Sequence, residues 1–321
     1  MRITVLAGGV GGARFLLGVR AACPDDDITA IVNTGDDVTL HGLRICPDLD
    51  SVMYTLGGVH DEERGWGRAG ESWRIREELL AYGAEPSWFL LGDLDFATHL
   101  VRTRMLDAGY PLSDVTAALC ERWQPGVRLL PMTDDRCETH VVVEATPDLD
   151  DDGSGARRRA IHFQEWWVRH RAALPALAFV QVGVDEAAAA PGVLESIASA
   201  DVVLVAPSNP VVSIGTILGL ADIRDAISSG PAPVVGVSPI IGGAPVRGMA
   251  DACLPVIDVP VTAEGVGRHY GARSDGGILD GWLVAEGDSA DVPGVAVRSV
   301  PLLMTDVGAT ATMVKTALEL A

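Results

Sequence analysis

The chain has 321 residues, of which 48% are hydrophobic, and a formal net charge of −20 from 24 basic and 44 acidic side chains. This length suits one large domain or two smaller ones, and the acidity argues against binding of nucleic acid through a broad basic face. No apolar run reaches the roughly 18–20 residues that cross a bilayer. Glycines interrupt the apolar N-terminus where a signal peptide would continue, so we expect a cytoplasmic protein.

The basic and cysteine residues argue against several common sites. Only one basic residue is a lysine, Lys315, which disfavours a lysine Schiff base and the lysine-containing P-loop. The five cysteines are scattered without a C-x-x-C pair, so neither a zinc site nor a disulfide framework is expected. Any bound phosphate must therefore be held by arginine, by backbone N–H groups or by a metal ion.

The predicted elements alternate between strands and helices from the N-terminus onward. Residues 2–7 predict a buried strand, 8–15 predict a glycine-rich turn into a helix, and 28–33 predict a second strand. A polar loop is expected at 57–70, and an apolar run at 88–91 ends at a further polar turn. Helical patterns follow one another in this part of the chain, at 49–56, 71–82, 96–108 and 111–123.

The pattern changes between residues 124 and 175, where short strands replace the alternation of strands and helices. We interpret 124–175 as an inserted β/α subdomain or a lid. Its predicted parts are strands at 128–131, 139–145 and 160–163, an acidic hairpin loop at 148–155, and a helix at 164–173.

The alternation returns after the insertion. Residues 178–182, 201–206 and 234–237 predict strands, and 191–200 predict a helix. Such alternation is typical of an α/β fold with a mostly parallel sheet, and no repeat of 20–50 residues indicates a solenoid. We therefore predict a doubly wound, mostly parallel sheet with a β-containing insertion, organised as a single domain over residues 1–321.

Five polar turns follow strand-like runs, and this coincidence is the main functional signal. In a doubly wound sheet, ligands bind at the carboxyl ends of the strands, near the point where the strand order reverses. We expect the five turns to meet at that point. They lie at residues 8–14, 35–37, 92–95, 207–213 and 238–243.

The first turn has the composition of a phosphate-binding loop, in which Gly8, Gly9, Gly11 and Gly12 precede Arg14. Glycines let backbone N–H groups approach a phosphate at a helix start, where the helix dipole favours negative charge. The P-loop lysine is absent, and Arg14 occupies the third glycine position of a dinucleotide-binding fingerprint. We predict phosphate binding here, and tight strand–helix packing is the alternative.

Two pairs of aspartates follow the glycine loop. Asp36 and Asp37 come after the second strand, and Asp48 and Asp50 flank the start of the next helix. Because carboxylates beside a phosphate would repel it, they indicate a hard cation, and Mg²⁺ takes one or two protein carboxylates besides substrate phosphates. We predict that Asp36 and Asp48 bind Mg²⁺. The alternative for Asp48 or Asp50 is capping of the helix or interaction with its dipole.

Two further turns carry polar side chains that serve either a ligand or the fold. Asp93 lies in the acidic turn at 92–95, and His99 follows it as either a general base or a structural histidine. Ser208, Asn209 and Ser213 lie in a turn that contains two prolines. Such a rigid polar turn suits recognition of a base or ribose, or else it caps the following helix.

Taken together, these segments resemble the 2-phospho-lactate transferases of coenzyme F420 biosynthesis, in particular the actinobacterial branch called phosphoenolpyruvate transferases. The resemblance covers nearly the whole chain and rests on long motifs in the same order. These are GGVGGAR at 8–14, NTGDD at 33–37, PDLD at 47–50, GDLDFATH at 92–99, HFQ at 162–164, APSNPVVSIG at 206–215 and SPIIG at 238–242.

The resemblance implies a Mg²⁺-dependent homodimeric enzyme with a Rossmann-like core. The implied reaction moves a phosphoenolpyruvate or 2-phospho-L-lactate group from a guanosine diphospho-linked donor to the terminal ribityl hydroxyl of the deazaflavin Fo. GMP leaves, and the product is (dehydro) coenzyme F420-0.

The resemblance also implies roles for the residues named above. Asp36 and Asp48 would hold Mg²⁺, and Asp37 or Asp50 would orient or deprotonate the Fo hydroxyl. The aromatic-bearing segment 57–96 would cover the deazaflavin ring. The remaining positions would bind substrate. The diphosphate would be bound by Gly8, Gly9, Gly11, Gly12 and Arg14, and the guanosine by Ser208, Asn209 and Ser213. Asp93 and His99, in and after the acidic turn, would also contact bound substrate.

One position departs from the family pattern. Leu94 stands where the family usually has a basic residue, so that contact is either lost or supplied by another arginine such as Arg102 or Arg104. A nucleotide-sugar-binding regulatory protein of the same superfamily, without this catalysis, is the alternative function. A nicotinamide-dependent oxidoreductase is disfavoured because Arg14 replaces the third glycine.

Overall fold

The structure, a computed structural model, describes residues 1–146 and 157–321, so the acidic loop predicted at 148–155 lies outside the described residues. The strands are β1 (Arg2–Ala7), β2 (Asp27–Val32), β3 (Val38–Leu40), β4 (Leu43–Ile45), β5 (Arg128–Pro131), β6 (Glu138–Glu144), β7 (Arg158–His162), β8 (Ala176–Val182), β9 (Val202–Val205), β10 (Val234–Val237), β11 (Ile240–Ile241), β12 (Ala244–Pro245), β13 (Gly281–Ala285) and β14 (Ala296–Val300).

The α-helices alternate with these strands over much of the chain, and none in the described ranges is long and apolar enough to cross a membrane. They are α1 (Gly9–Ala22), α2 (Pro47–Leu56), α3 (Arg74–Ala81), α4 (Asp93–Asp107), α5 (Leu112–Trp123), α6 (Val193–Ser199), α7 (Ile214–Ile217), α8 (Ala221–Ser229), α9 (Ala250–Cys253), α10 (Ala263–Tyr270) and α11 (Val307–Leu320).

Seven strands form one parallel sheet in the order β14-β13-β10-β9-β1-β2-β5. The chain moves outward from β1 through β2 to β5, then returns to β9 on the other side of β1 and continues outward to β14. The strand order therefore reverses between β1 and β9, which confirms the predicted doubly wound, Rossmann-like α/β fold. Because the strands are parallel, their carboxyl ends share one edge of the sheet.

Both faces of this sheet are covered, which explains why its central strands are almost continuously apolar. One face packs against α1, α2 and α11, and Phe15 and Leu16 of α1 are fully buried in that layer. The other face packs against α6, α8 and α10, which bury Ile197, Ile223 and Val266. The two cores hold β1 and β9 rigidly, so the turns that follow these strands have fixed positions.

A second, antiparallel sheet in the order β7-β6-β8 supplies the β-containing insertion. Its membership differs from the sequence prediction at both ends. The strand predicted at 128–131 is β5, which pairs in parallel with β2 at the edge of the main sheet. The strand predicted at 178–182 falls within β8, which pairs with β6 instead of continuing the parallel sheet. Both errors have one cause, because a short apolar run does not encode its pairing partner.

Other local predictions also change. A hairpin of β3 and β4 lies between the first and the second aspartate pair and was not predicted, while the run at 88–91 forms no strand. A single π-helical turn, Glu165–Arg169, stands where a helix was predicted at 164–173. Helices α2 and α4 begin earlier than predicted, at Pro47 and Asp93, since proline is favourable in a first helical turn and α4 receives a cap from a distant residue.

Candidate functional site

The glycine loop, the start of α2 and the turn after β9 meet at the carboxyl edge of the sheet. A β-carbon placed on Gly8 would lie 2.7 Å from Asp48 Oδ2 and 2.7 Å from Ser213 Cβ. A β-carbon on Gly11 would lie 3.0 Å from the carbonyl oxygen of Pro207. The turns at 8–14 and 207–213 therefore come together with Asp48 between β1 and β9, where the strand order reverses. The turn at 35–37 joins them through Asp36, which interacts with Asp48.

The glycine loop leads directly into the N-terminus of α1. Gly9 has a φ of +61°, a left-handed conformation that glycine adopts without strain. Gly8 precedes the helix, and the Asp48 carboxylate accepts the N–H of Gly9. The N–H groups that follow in the first turn, those of Val10 and Gly11, can bind an anion. Arg14 is half-buried in the same helix and makes no ion pair with a residue that the structure describes. This geometry suits a phosphate.

Packing explains part of the loop's composition. A β-carbon on Gly12 would lie 2.9 Å from both Ala7 Cβ and Ser208 Oγ. Such separations are too short for a real side chain, so Gly12 is required by the close approach of α1 to β1 and to the turn after β9. The packing alternative therefore accounts for Gly12, while Gly8 and Gly9 adjoin the carboxylate of Asp48.

Asp36 and Asp48 form a pair of carboxyl groups that are only 6% and 5% exposed. Burial, together with the charge of Asp48, raises the pKa of Asp36 well above its ordinary value. Burial raises the pKa of Asp48 to about 6, against the opposing effect of hydrogen bonds from Asn33 and Gly9. Asn33 Nδ2 donates to Asp48 Oδ2 at 2.9 Å, and Asn33 Oδ1 accepts the N–H of Gly35 at 2.9 Å.

This pair of carboxyl groups fits a divalent cation. Asp36 Oδ1 is buried without a hydrogen-bond partner among the described residues, and the two carboxylates repel each other unless a cation lies between them. No cluster of three or more His, Cys, Asp or Glu side chains able to hold a metal occurs in residues 1–146 and 157–321. Two carboxylates suit Mg²⁺, whose other ligands are commonly waters and substrate phosphates.

Asp37, the next residue, is fully buried and has its own set of contacts. Arg44 Nη2 lies 3.3 Å from Asp37 Oδ2, and His162 Nε2 lies 3.2 Å from the Asp37 carbonyl oxygen. Burial raises the pKa of Asp37 to about 7, although Arg44 and a hydrogen bond from Cys46 lower it. Its Oδ1 atom is enclosed and has no hydrogen-bond partner in the described part of the chain.

Asp50 has a different environment, although it lies two residues after Asp48 on α2. Arg102 of α4 donates through Nη1 to Asp50 Oδ2 at 3.1 Å and through Nη2 to Asp50 Oδ1. His99, also buried, has its Nδ1 atom 3.6 Å from Asp50 Oδ2. Because a fixed cation occupies both oxygens of Asp50, this carboxylate is poorly placed to accept a proton. Arg102 is committed to the same ion pair and does not replace the basic residue missing at Leu94.

Asp93 begins α4 and serves mainly to connect it to α3. Its carboxylate accepts hydrogen bonds from Ser72 Oγ at 2.6 Å and from the N–H of Ile75 at 3.0 Å. The bond from Ser72 is the main reason that the pKa of Asp93 is lowered. These bonds cap the start of α3, so the ligand-binding role predicted for Asp93 has a structural competitor.

Asp95 is a buried carboxyl group that the site prediction did not include. Burial, together with the charges of Asp50 and Glu71, raises its pKa to about 7. Glu71 accepts the N–H groups of Leu94 and Asp95 at 2.7 and 2.9 Å and so caps α4 from a distance of more than twenty residues in sequence. The 92–95 turn is therefore a helix start inside a charged cluster, and it does not follow a strand.

The turn after β9 uses its side chains internally. Ser208 Oγ accepts the N–H of Gly8 at 3.0 Å and donates to the Gly8 carbonyl at 2.8 Å. Asn209 Oδ1 accepts the N–H groups of Val211 and Val212 at 2.9 and 3.2 Å. The predicted guanosine contacts of Ser208 and Asn209 therefore compete with bonds that shape the turn, whereas Ser213 lies beside Gly8 without such a bond among the described residues.

The loop between α2 and α3 carries aromatic side chains. The guanidinium of Arg64 lies 5.2 Å from the ring centres of both Trp66 and Trp73. Arg68 lies 4.7 Å from the ring of Trp123 and donates to the Leu94 carbonyl at 3.0 Å. The indoles of this loop are thus partly occupied by arginine stacking, which fixes the loop against α4 and α5.

From the sequence, Asn33 and Arg44 received no role, and Arg102 was named only as a possible replacement for the basic residue missing at Leu94. Asn33, Arg44 and Arg102 each orient one of the aspartates, and none of them stands out in the sequence by its spacing. Asn33 lies within the NTGDD motif, in which only Asp36 and Asp37 were given a role. Arg102 contacts a residue 52 positions away, and such a partner is visible only once α2 and α4 are packed together.

Comparison with protein families identifies the chain's relatives. A family model described as "2-phospho-L-lactate transferase CofD" matches residues 3–297. A phosphoenolpyruvate transferase from Nocardia farcinica is 65% identical over 320 residues, which cover 100% of this chain and 95% of the relative. Phosphoenolpyruvate transferases from Mycobacterium avium and Mycobacterium marinum are 59% and 60% identical, with 100% of this chain and 99% of each relative covered.

Solved structures support the fold. Two crystal structures of a Bacillus halodurans protein, one of them described as a member of the UPF0052 family, superpose with TM-scores of 0.60 and 0.60. Sequence identity is 16% and 18%, and the alignments cover 98% and 99% of this chain and 99% of each neighbour. At this identity the likeness concerns architecture alone. The family match and the highly identical relatives show that the chain belongs to the CofD family of 2-phospho-L-lactate transferases.

Proposed function

We propose that this chain is a Mg²⁺-dependent transferase that moves phosphoenolpyruvate, or 2-phospho-L-lactate, from a guanosine diphospho-linked donor to the terminal ribityl hydroxyl of Fo. The products are (dehydro) coenzyme F420-0 and GMP. The observation that carries the proposal is the pair Asp36 and Asp48, buried beside the glycine-rich start of α1. A diphosphate with its cation is the type of ligand that such a pair and such a helix start favour.

The reaction exchanges one phosphorus–oxygen bond for another. The Fo hydroxyl oxygen bonds to the phosphorus that carries the carboxylic acid group, and the bond from that phosphorus to GMP breaks. The hydroxyl proton must leave, and the GMP phosphate takes up negative charge. Phosphoryl transfer of this kind depends on positioning and charge neutralisation more than on covalent catalysis, so the protein needs donors, a cation site and a proton acceptor.

The glycine loop supplies the donors. We place the diphosphate against the first-turn N–H groups of α1, within reach of the half-buried guanidinium of Arg14. The guanosine end extends toward the turn after β9, where Ser213 lies beside Gly8. Because Ser208 and Asn209 are engaged within that turn, we expect their contribution to binding to be mainly indirect.

Asp36 and Asp48 would hold Mg²⁺. The ion, when bound, supplies positive charge that offsets the charge of the diphosphate and of the departing GMP. Asn33 orients the Asp48 carboxylate through its amide N–H.

Asp37 is the better placed of the two predicted proton acceptors. Its Oδ2 atom faces Arg44, and its Oδ1 atom is without a partner among the described residues. Asp50, in contrast, has both oxygens engaged by Arg102. We therefore assign Asp37 the task of orienting the Fo hydroxyl and accepting its proton, and Asp50 the task of holding α2 against α4.

The transfer assay tests this proposal. Purified protein is incubated with Fo, Mg²⁺ and each of the two guanosine-linked donors, and GMP and the phosphorylated deazaflavin are quantified by chromatography. We expect equimolar GMP and product, with one donor preferred. Tight binding of donor without turnover of either one would contradict the proposal and favour the nucleotide-sugar-binding alternative. Light scattering of the same sample tests the further expectation, also proposed here, that this cytoplasmic enzyme is a homodimer.

A further inference from the structure

We propose that Arg102 holds His99 in the neutral form that carries its proton on Nε2, so that His99 donates a hydrogen bond to an oxygen of the bound substrate and is not a general base. Arg102 is then a positioning residue that acts through His99. The inference rests on the proposed transfer reaction for its substrate, whereas the protonated nitrogen of His99 can be observed without any reaction.

Arg102 is almost completely buried, at 2% exposure, and its contacts use most of its donors. Nη1 donates to Asp50 Oδ2 at 3.1 Å and lies 3.1 Å from His99 Nδ1, while Nη2 donates to Asp50 Oδ1. The backbone carbonyl of Arg44 lies 3.4 Å from Nη1. The guanidinium therefore joins α4, α2 and the end of the β3–β4 hairpin at one point.

The chemistry of the guanidinium decides the tautomer of His99. An arginine side chain has only donors and does not lose its proton in proteins, so a nitrogen that bonds to it must be an acceptor. His99 Nδ1 is that acceptor, and an imidazole nitrogen that accepts carries no proton. In the neutral ring the proton must then lie on Nε2.

The competing arrangement is weaker. A proton on Nδ1 would have to point at Asp50 Oδ2, which is 3.6 Å away and outside hydrogen-bond range, while Arg102 Nη1 is 3.1 Å away. A doubly protonated ring would direct an N–H against the guanidinium. Burial, and to a smaller extent the charge of Arg102, lowers the pKa of His99 to about 4, while Asp50 raises it, so the neutral ring persists at ordinary pH.

His99 Nε2 has no hydrogen-bond partner in the described part of the chain, and this atom is not fully enclosed by the protein. An N–H donor at the edge of a buried network requires a partner from outside, either water or a ligand. The ring lies beside Asp50, and the charges of Asp50 and Arg102 act on Asp37, the proposed proton acceptor. An oxygen of the transferred group or of Fo is therefore the acceptor that the geometry favours.

Nitrogen-15 NMR of the imidazole rings tests the tautomer directly. Two-bond correlations distinguish protonated from unprotonated ring nitrogens, and the signals of His99 are assigned by their loss in His99→Gln. We expect a proton on Nε2 and none on Nδ1 at pH 7. We expect Arg102→Lys to change this pattern, because one ammonium group cannot reproduce three guanidinium contacts. The exposed Arg104→Lys on the same helix is the control and should leave it unchanged.

Activity of the same variants tests the donor role. Glutamine has an amide N–H near the position of Nε2 but does not act as a base, so His99→Gln should keep kcat/KM within about threefold of wild type, whereas His99→Phe should lose at least tenfold. Equal losses in both variants, or a proton on Nδ1 in the spectrum, would overturn the inference. Absence of transfer by wild type would instead contradict the proposed function and leave the tautomer result standing.

Discussion

The two aspartates of the PDLD segment, at the start of α2, lie in environments of different charge. Asp48 adjoins the glycine loop and faces Asp36, another buried carboxyl group. Asp50 faces the guanidinium of Arg102 and is neutralised inside the protein. Buried charges are tolerated only when they are paired, so Asp50 with Arg102 is complete by itself, whereas Asp48 with Asp36 is the pair that we propose to bind a cation. On this proposal, a ligand site and a structural contact lie within one turn of helix.

The largest effect on stability should follow from breaking the complete pair. In Arg102→Ala, the Asp50 carboxylate stays buried without its cation, and we expect a loss of about 3–5 kcal/mol of unfolding free energy. Arg104→Ala, on the exposed side of α4, should change stability by less than about 0.5 kcal/mol. Chemical denaturation measures both. A small loss in Arg102→Ala would mean that Asp50 is not held as the structure shows.

Changing the pair of Asp36 and Asp48 should reduce activity strongly and stability little, the opposite of the Arg102 variant. We expect Asp48→Asn to lower Mg²⁺-dependent kcat/KM by at least ~100-fold, because a ligand of the proposed cation is lost. Stability without Mg²⁺ should hold or rise, because the repulsion between Asp48 and Asp36 is removed. Kinetics with thermal unfolding test this, and Asp107→Asn, on the exposed end of α4, is the control. Normal Mg²⁺ dependence in Asp48→Asn would contradict the metal assignment.

Asp95 lies in the charged cluster and gives a pH test of it. Its pKa is raised to about 7 in the folded state, so between the unfolded value and 7 the folded protein binds the extra proton. Its contribution to stability is therefore present at low pH and lost as the pH rises through 7. Asparagine imitates the protonated form. The advantage in unfolding free energy of Asp95→Asn over wild type should therefore increase by about 2 kcal/mol from pH 5 to pH 8. Denaturation at both pH values measures it, and a gain independent of pH would refute the explanation.

Gly8, directly before α1, and Gly18, within α1, allow effects on the site to be distinguished from effects on packing alone. A β-carbon on Gly8 would collide with Asp48 and Ser213, and one on Gly18 would collide with Thr310 of α11. Each alanine variant should lose about 1–3 kcal/mol of stability through overpacking. Only Gly8→Ala should also lower kcat/KM of the folded fraction, by roughly tenfold, because it displaces Asp48. Equal activity losses per folded molecule would show that Gly8 has no special relation to the site.

The smallest expected effect concerns Ser208. Its hydroxyl bonds to the Gly8 N–H and carbonyl, so Ser208→Ala should cost about 1–2 kcal/mol of stability. The KM for the guanosine-linked donor should change less than threefold, since the side chain is engaged within the protein. A large rise in KM at unchanged stability would restore Ser208 as a direct guanosine contact.

The fold was largely predictable because its signals are local. The apolar runs of β1, β9 and β10, the glycine loop and the helical patterns each lie within ten to fifteen residues of sequence. The pairing of strands was harder to predict. Strands β5 and β8 were assigned to the wrong sheets, because the sequence of a short apolar strand does not specify which strand it pairs with.

The site residues also fall into two groups: those in local motifs could be predicted, and those defined by distant contacts could not. The sequence indicated Asp36 and Asp48, because both lie in short motifs close to the glycine loop. It did not distinguish the environment of Asp48 from that of Asp50, since that distinction depends on Arg102, which is 52 positions away. It also did not show the bond of Ser208 to Gly8, because that bond forms only when the turn after β9 packs on the glycine loop. The bonds of Asn209 are local to its turn and correspond to the structural alternative that the sequence left open.

Binding of Mn²⁺ in place of Mg²⁺, followed by electron paramagnetic resonance in the presence of the guanosine-linked donor, tests the central claim most directly. The account predicts one bound Mn²⁺ per chain in wild type and in Asp95→Asn, and loss of this binding in Asp36→Asn and in Asp48→Asn. Retention of the bound ion in Asp48→Asn, with the variant folded, would contradict it.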